Sequence, residues 1–152
     1  MTLRQITDNW VGDDIDDLVA YFAADPNDYA AHQVVVARCA HCAGQVFVLE
    51  TDESSTCVRR TCVQCDRTTF MLDGEEHWPT EEGEAEAEYF VECTCGEDRF
   101  ETAVGFTFYD DTPDSDVRWV SIAVRCTADG LIGYCADYKI RYGPSHHLVD
   151  AV

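Results

Sequence analysis

The chain has 152 residues, of which 46% are hydrophobic, so it can bury one core of moderate size or two small ones. Thirty acidic residues against ten basic ones give a formal net charge of −20, and such a field repels the phosphates of DNA and RNA. The first residues lack the apolar core of a secretory signal, and no stretch approaches the ~20 apolar residues of a membrane span. We therefore expect a cytoplasmic protein without a membrane partner, and nucleic-acid binding is disfavoured.

An acidic helix is predicted within residues 1–32. Residues 8–28 contain seven acids and neither Lys nor Arg. Apolar residues recur there at helical spacing: Val11, Ile15, Leu18, Val19 and Phe22. Acids crowd the first turns, where the helix dipole favours negative charge: Asp13, Asp14, Asp16 and Asp17. The pattern predicts a short amphipathic helix whose polar face is strongly negative.

From residue 33 the pattern changes to short β-type runs that are interrupted by cysteines. Two Cys-x-x-Cys pairs with 19 residues between them, Cys39 and Cys42 followed by Cys62 and Cys65, stand at the ends of a predicted hairpin. Nine cysteines, an odd number, in a reducing compartment count against a disulfide framework. Two such knuckles on a hairpin can bring four thiolates onto one tetrahedral ion. Residues 33–73 are therefore predicted to form a zinc ribbon with a structural Zn²⁺ site.

An acidic connector is predicted to follow the first ribbon. Residues 73–92 hold nine acids and neither Lys nor Arg, and the run "PTEEGEAEAE" lies at their centre. We assign residues 74–88 to this connector, either as a solvated loop or as a docking segment that uses Glu81 and Glu82.

Residues 89–152 repeat the plan in an altered form. Phe100 lies five residues after Cys95, as Phe47 lies five residues after Cys42. The cysteines Cys93, Cys95 and Cys126 supply three thiolates, but Asp129 stands where a fourth cysteine is expected. The fourth ligand of this second site stays open among Asp129, Cys135, a histidine such as His146 or His147, and water. Asp129 has the better spacing and Cys135 the better ligand chemistry.

The second half carries the motifs of a known group of proteins. The runs "CTCG", "VGF", "VRWVSIAVRC" and "ADYKIRYG", preceded by the first ribbon, resemble those of small bacterial proteins with tandem zinc ribbons. The likeness covers about residues 33–148. It implies a mainly β (α+β) fold of tandem zinc-ribbon-like antiparallel sheets, which fits the predicted strands, and it implies no particular activity. Members of the group tend to have cysteine at the position of Asp129.

Three functions remain open at this point. The charge favours a non-enzymatic zinc-binding protein that binds a basic protein partner through the acids at positions 13, 14, 16, 17, 81 and 82, as an immunity protein or a nucleic-acid mimic would. An accessory module of a transcription or RNA-processing complex could instead use a basic patch of Arg59, Arg60 and Arg67. A zinc enzyme would need water on the second zinc and a general base, for which Asp129 is a candidate.

Overall fold

The computed structural model of the chain describes residues 3–26, 29–52, 57–77, 89–110 and 115–152. Within these ranges the predicted mainly β fold with an N-terminal helix is confirmed. The elements in chain order are β1 (Arg4–Ile6), β2 (Asn9–Val11), α1 (Ile15–Ala24), β3 (Gln33–Val36), β4 (Phe47–Thr51), β5 (Val58–Cys62), β6 (Thr68–Phe70), α2 (Gly74–His77), β7 (Tyr89–Phe90), β8 (Arg99–Phe108), β9 (Val117–Cys126), β10 (Leu131–Lys139) and a 3₁₀ helix (His146–Asp150).

The N-terminal helix is shorter than the predicted span of residues 8–28, because a β-hairpin lies ahead of it. Helix α1 begins after Asp14, whose carboxylate accepts a hydrogen bond from the backbone N–H of Asp17. Strands β1 and β2 pair with each other, and β2 continues the sheet through β10. Gly12 permits the turn from β2 into α1, since a Cβ there would lie 2.5 Å from the Asp17 Cβ. Val11 therefore belongs to a strand and not to the helix.

The ten strands of the described ranges form one sheet. Its main order is β1-β2-β10-β9-β8-β4-β5-β6, with β3 added to β8 and β7 added to β4. Hairpin β4–β5 comes from the first predicted ribbon and hairpin β8–β9 from the second. These hairpins meet where Phe47 lies opposite Phe100. The two segments predicted as separate ribbons thus form two halves of one continuous sheet.

The register relates the two halves by an approximate two-fold operation centred between β4 and β8. The strand that precedes each hairpin crosses to the other half, since β3 pairs with β8 and β7 pairs with β4. The same residue positions face each other in both halves. The matched pairs are Phe47–Cys62 with Phe100–Cys126, and Val36–Ala103 with Phe90–Glu50. The reciprocal exchange of β3 and β7 ties the halves together.

Strand alternation divides the apolar side chains between the two faces of the sheet. One face carries the main core, which contains the alternate β8 residues Phe100, Val104, Phe106 and Phe108. The opposite face packs against α1 through Ala103, Ala123 and the helix residue Phe22. Gly105 lets the helix approach, because a Cβ at that position would lie 2.7 Å from two Phe22 ring carbons.

Candidate metal centres

Site 1 is formed by the two knuckles of the first half. Cys39 and Cys42 lie between β3 and β4, and Cys62 and Cys65 lie at the end of β5 and beyond it. Their four sulfurs all lie within 4.8 Å of one another. The Cys39 and Cys65 sulfurs are 3.6 Å apart, and those of Cys42 and Cys62 are 3.5 Å apart. Tetrahedral coordination with bonds of ~2.3 Å separates sulfurs by roughly 3.8 Å, so these distances suit one metal ion.

Tight backbone turns hold the knuckles of site 1 in place. The N–H of Ala43 donates to the carbonyl of Cys39, and the N–H of Asp66 donates to the carbonyl of Cys62. Ala43 and Asp66 both have a left-handed φ of 62°. Next to them, Gly44 leaves room for the ligands, because a Cβ there would lie 3.0 Å from the Cys62 sulfur. The loop sequence is therefore fitted to the sulfur cluster.

Backbone N–H groups favour ionised sulfur at site 1. Those of Cys42 and His41 lower the pKa of the Cys39 thiol to about 6. At Cys42 the N–H of Gly44 also lowers the pKa, but burial and the neighbouring thiols outweigh it and raise the pKa to about 12. Four thiols at this separation ionise together only when a cation shares their charge. The cluster is therefore suited to a cation that prefers thiolates.

Arg60 is a buried cation beside site 1. Only 7% of the residue is exposed, and its guanidinium carbon lies 4.5 Å from the centre of the Phe47 ring. Burial lowers the pKa of Arg60, and negative charge on Cys39 and Cys62 opposes that shift. A buried guanidinium requires negative charge close by. The thiolates and Arg60 therefore stabilise each other's charged forms.

Site 2 has the same construction in the second half. Its ligand atoms, from Cys93, Cys95, Cys126 and Asp129, also lie within 4.8 Å of one another. The Cys93 sulfur is 3.6 Å from each Asp129 carboxylate oxygen, and the Cys95 and Cys126 sulfurs are 3.6 Å apart. The backbone N–H of Leu131 donates to the Asp129 carboxylate and is the largest cause of its lowered pKa. Asp129 is thereby kept in the ionised form that a metal ligand needs.

The structure places Asp129 in this cluster and Cys135 outside it. Cys135 sits at a bulge of β10, between Tyr134, which faces Ala123, and Ala136, which faces Ile122. Burial raises the pKa of the Cys135 thiol to about 12, so the thiol stays protonated near neutral pH. Within the described ranges, the residue with the expected spacing, Asp129, joins the three cysteines, although sulfur is the ligand that zinc would favour.

The two sites differ in their access to solvent. Cys39 and Cys62 of site 1 are buried and its other two ligands are half-buried. At site 2, Cys95 and Asp129 are exposed. Both groups could hold a metal ion, and a solvent-borne chelator reaches the second more easily.

The acids predicted to bind a partner have different environments. Asp13, Asp14 and Asp16 are exposed at the start of α1. Asp17 is only 1% exposed, and its carboxylate accepts hydrogen bonds from the backbone N–H groups of Leu3 and Asp13. The prediction that Asp17 binds a partner is therefore wrong. Its buried carboxylate holds the β1–β2 hairpin onto the helix and is not accessible to another protein. Glu81 and Glu82 lie outside the described residues.

The predicted basic patch is not one surface. Arg59 and Arg60 are neighbours on β5, so their side chains point to opposite faces of the sheet. Arg59 forms an ion pair of 2.5 Å with Glu50. Arg60 instead lines a cavity together with Arg67 and with Arg38, which sequence reasoning did not single out. The position of Arg38 directly before Cys39 was the available signal.

Comparisons of the chain with protein-family models, with curated proteins and with solved structures give no match. None of the helices in the described ranges is long and apolar enough to cross a membrane.

Proposed function

We propose that both sites bind Zn²⁺ as a structural ion. Four thiolates at site 1, and three thiolates with a carboxylate at site 2, are ligand sets that zinc accepts in tetrahedral geometry. In each half, two ligands come from the turn before the hairpin and two come from its far end. The hairpins are β4–β5 in the first half and β8–β9 in the second. The ions would therefore fix the hairpins and, through the exchanged strands β3 and β7, the whole sheet.

On this frame, we propose that the chain acts without catalysis by binding a basic protein partner, as an immunity protein or a nucleic-acid mimic does. The observation that carries the proposal is the net charge of −20, together with the exposed acids of α1. A field of this sign and size steers a cationic partner towards the surface and disfavours anionic ones. If Asp129 is a metal ligand, as proposed, the enzyme alternative loses its candidate general base.

The nucleic-acid alternative receives less support. Of its three arginines, Arg59 is ion-paired and Arg60 is buried, which leaves Arg67 as an exposed cation of the predicted patch. Neutralisation of several phosphates is needed for useful affinity at physiological salt. Arg67 and the nearby Arg38 together provide too few contacts against the charge of the whole chain.

The proposal is tested by partner capture followed by association kinetics at increasing salt. The association rate should fall at least about tenfold between low and physiological ionic strength, because screening removes long-range steering. At low ionic strength, the double variant Asp13→Asn with Asp16→Asn should associate more slowly than the unsubstituted chain. Asp14 is left unchanged because it caps α1. The matched control, Asp98→Asn with Asp110→Asn, removes the same charge at exposed positions elsewhere. A salt-insensitive rate, or equal effects of both double variants, would refute the role of the α1 surface.

A further inference from the structure

A cavity of about 550 Å³ lies beside site 1, at the edge of the sheet formed by β6. Three arginines line it, and so do apolar side chains from β6, from the segment after it and from the end of the chain. The basic residues are Arg38, Arg60 and Arg67, and the apolar ones include Phe70, Leu72 and Val152. The cavity therefore combines a cationic region with an apolar wall.

The internal repeat provides a comparison for this cavity. A second cavity of about 470 Å³ occupies the equivalent place beside site 2. Equivalent positions are counted from the first and third cysteines of each site, which are Cys39 and Cys62 in site 1 and Cys93 and Cys126 in site 2. They are the residue before the first cysteine, the residue two before the third cysteine and the residue five after the third cysteine. These pairs are Arg38 and Glu92, Arg60 and Val124, and Arg67 and Leu131. The repeated fold thus forms a cavity in the second half whose lining has no basic residue. The three arginines are specific to the cavity of the first half.

The charge of these arginines is unusual for this chain. They are three of only ten basic residues among thirty acids. Arg38 and Arg67 are both exposed, and among the described residues neither of them forms an ion pair. Arg60 donates through Nη2 to the carbonyl of Arg38 and to the backbone oxygen of Val152, but its buried Nε has no hydrogen-bond partner in the described part of the chain. A buried donor without an acceptor costs free energy, so within the described residues the guanidinium of Arg60 is only partly satisfied.

The thiolates of site 1 account for only part of this cluster. Cys39 of site 1 lines the cavity together with Arg60, so a thiolate there can balance one guanidinium. Arg38 and Arg67 also line the cavity, and Asp150 is the one acidic side chain among its lining residues. The surplus suits an anion of low charge, since the chain as a whole repels polyanions.

We propose that this cavity binds a carboxylate group carried on a short apolar chain. Guanidinium groups match the planar carboxylate with two parallel hydrogen bonds, and Phe70, Leu72 and Val152 offer apolar contact to the attached chain. A free short-chain carboxylic acid and the C-terminal residue of a peptide both have this chemistry. The inference does not depend on the basic partner proposed above.

Titration of the zinc-loaded full chain, followed by backbone amide NMR in low-chloride buffer, tests the proposal. The probes are hexanoate, the dipeptide N-acetyl-Gly-Leu, its C-terminal amide, and inorganic phosphate. Hexanoate should shift amides of residues 38–41, 67–72 and 150–152 saturably, with a dissociation constant of roughly millimolar order for so small a ligand. Tighter binding of the dipeptide would assign the site to peptide termini, and tighter binding of hexanoate would assign it to free acids.

A pair of double variants provides the control. Arg38→Met with Arg67→Met should weaken binding at least about tenfold through the loss of charged hydrogen bonds. Arg99→Met with Arg141→Met removes two exposed arginines outside the cavity and should leave binding unchanged. All four positions are exposed, so folding is preserved. Equal binding of the dipeptide amide, phosphate binding as tight as that of the carboxylates, or no saturable shift would overturn the proposal.

Discussion

Substitution Cys62→Ser compared with Cys57→Ser separates a metal ligand from an ordinary buried thiol. Cys62 is 1% exposed and Cys57 is 0% exposed, so both variants bury a hydroxyl in place of a sulfur. Only Cys62 belongs to a ligand cluster. The difference in stability between the two variants therefore reports the loss of zinc coordination.

The magnitude follows from the four ligands of site 1. Structural zinc contributes about 10–16 kcal/mol of apparent binding free energy at neutral pH, so loss of one thiolate in four costs roughly 3 kcal/mol or more. Each kcal/mol lowers the melting temperature by ~2–4 °C in a chain of this size. We expect the melting temperature of Cys62→Ser to fall about 10 °C below that of Cys57→Ser.

The assay is thermal unfolding by circular dichroism of the zinc-loaded chain, with zinc counted for each variant. Cys62→Ser should hold zinc at site 1 more weakly and melt earlier, whereas Cys57→Ser should keep its full zinc content. Equal melting temperatures and equal zinc content for the two variants would refute the assignment of Cys62 as a ligand.

Three more predictions concern site 2, the helix contact and the buried Asp17. EDTA should remove metal from site 2 before site 1 because Cys95 and Asp129 are exposed, and Asp129→Cys should slow that step; unchanged release kinetics would exclude Asp129 as a ligand. Gly105→Ala should cost ~1–3 kcal/mol in a denaturant titration, since its Cβ would strike Phe22, and a neutral effect would contradict the packing. Asp17→Ala should cost about 2 kcal/mol, with the exposed Asp16→Ala within ~0.5 kcal/mol as control; similar costs for both would show that the Asp17 hydrogen bonds contribute nothing.

The local parts of the fold could be predicted from sequence because their signals are local. Cysteine spacing indicated the ligand groups of both halves, and the helical recurrence of Ile15, Leu18 and Phe22 indicated helix α1. The exchange of β3 and β7 between halves could not be predicted in this way, since strand pairing over long separations leaves no periodic trace in either strand.

Two errors at the N-terminus have a common physical cause. Val11 fits a helical spacing with Ile15 and Leu18, yet β10 offers an edge to which residues 9–11 add as a strand. Asp17 reads as one more acid of a polar face, yet the hairpin folds over it and uses its carboxylate. In both cases tertiary contacts outweighed a local pattern.

The candidate sites show the same limit. The sequence favoured Asp129 by spacing and Cys135 by chemistry, and it does not reveal that Cys135 lies within β10 and outside the ligand cluster. The arginine cavity brings together Arg38, Arg60 and Arg67 from three segments, and it contrasts with its counterpart only when the two halves are compared.

The zinc content of the folded chain shows whether both ligand clusters are metal sites. Native mass spectrometry of the purified chain, under conditions that keep it folded, gives the number of ions bound per molecule. Two zinc ions are predicted, one for the thiolate cluster of site 1 and one for the mixed cluster of site 2. A folded chain with one zinc ion would contradict Asp129 as a working ligand, and a folded chain without zinc would contradict the account of both sites.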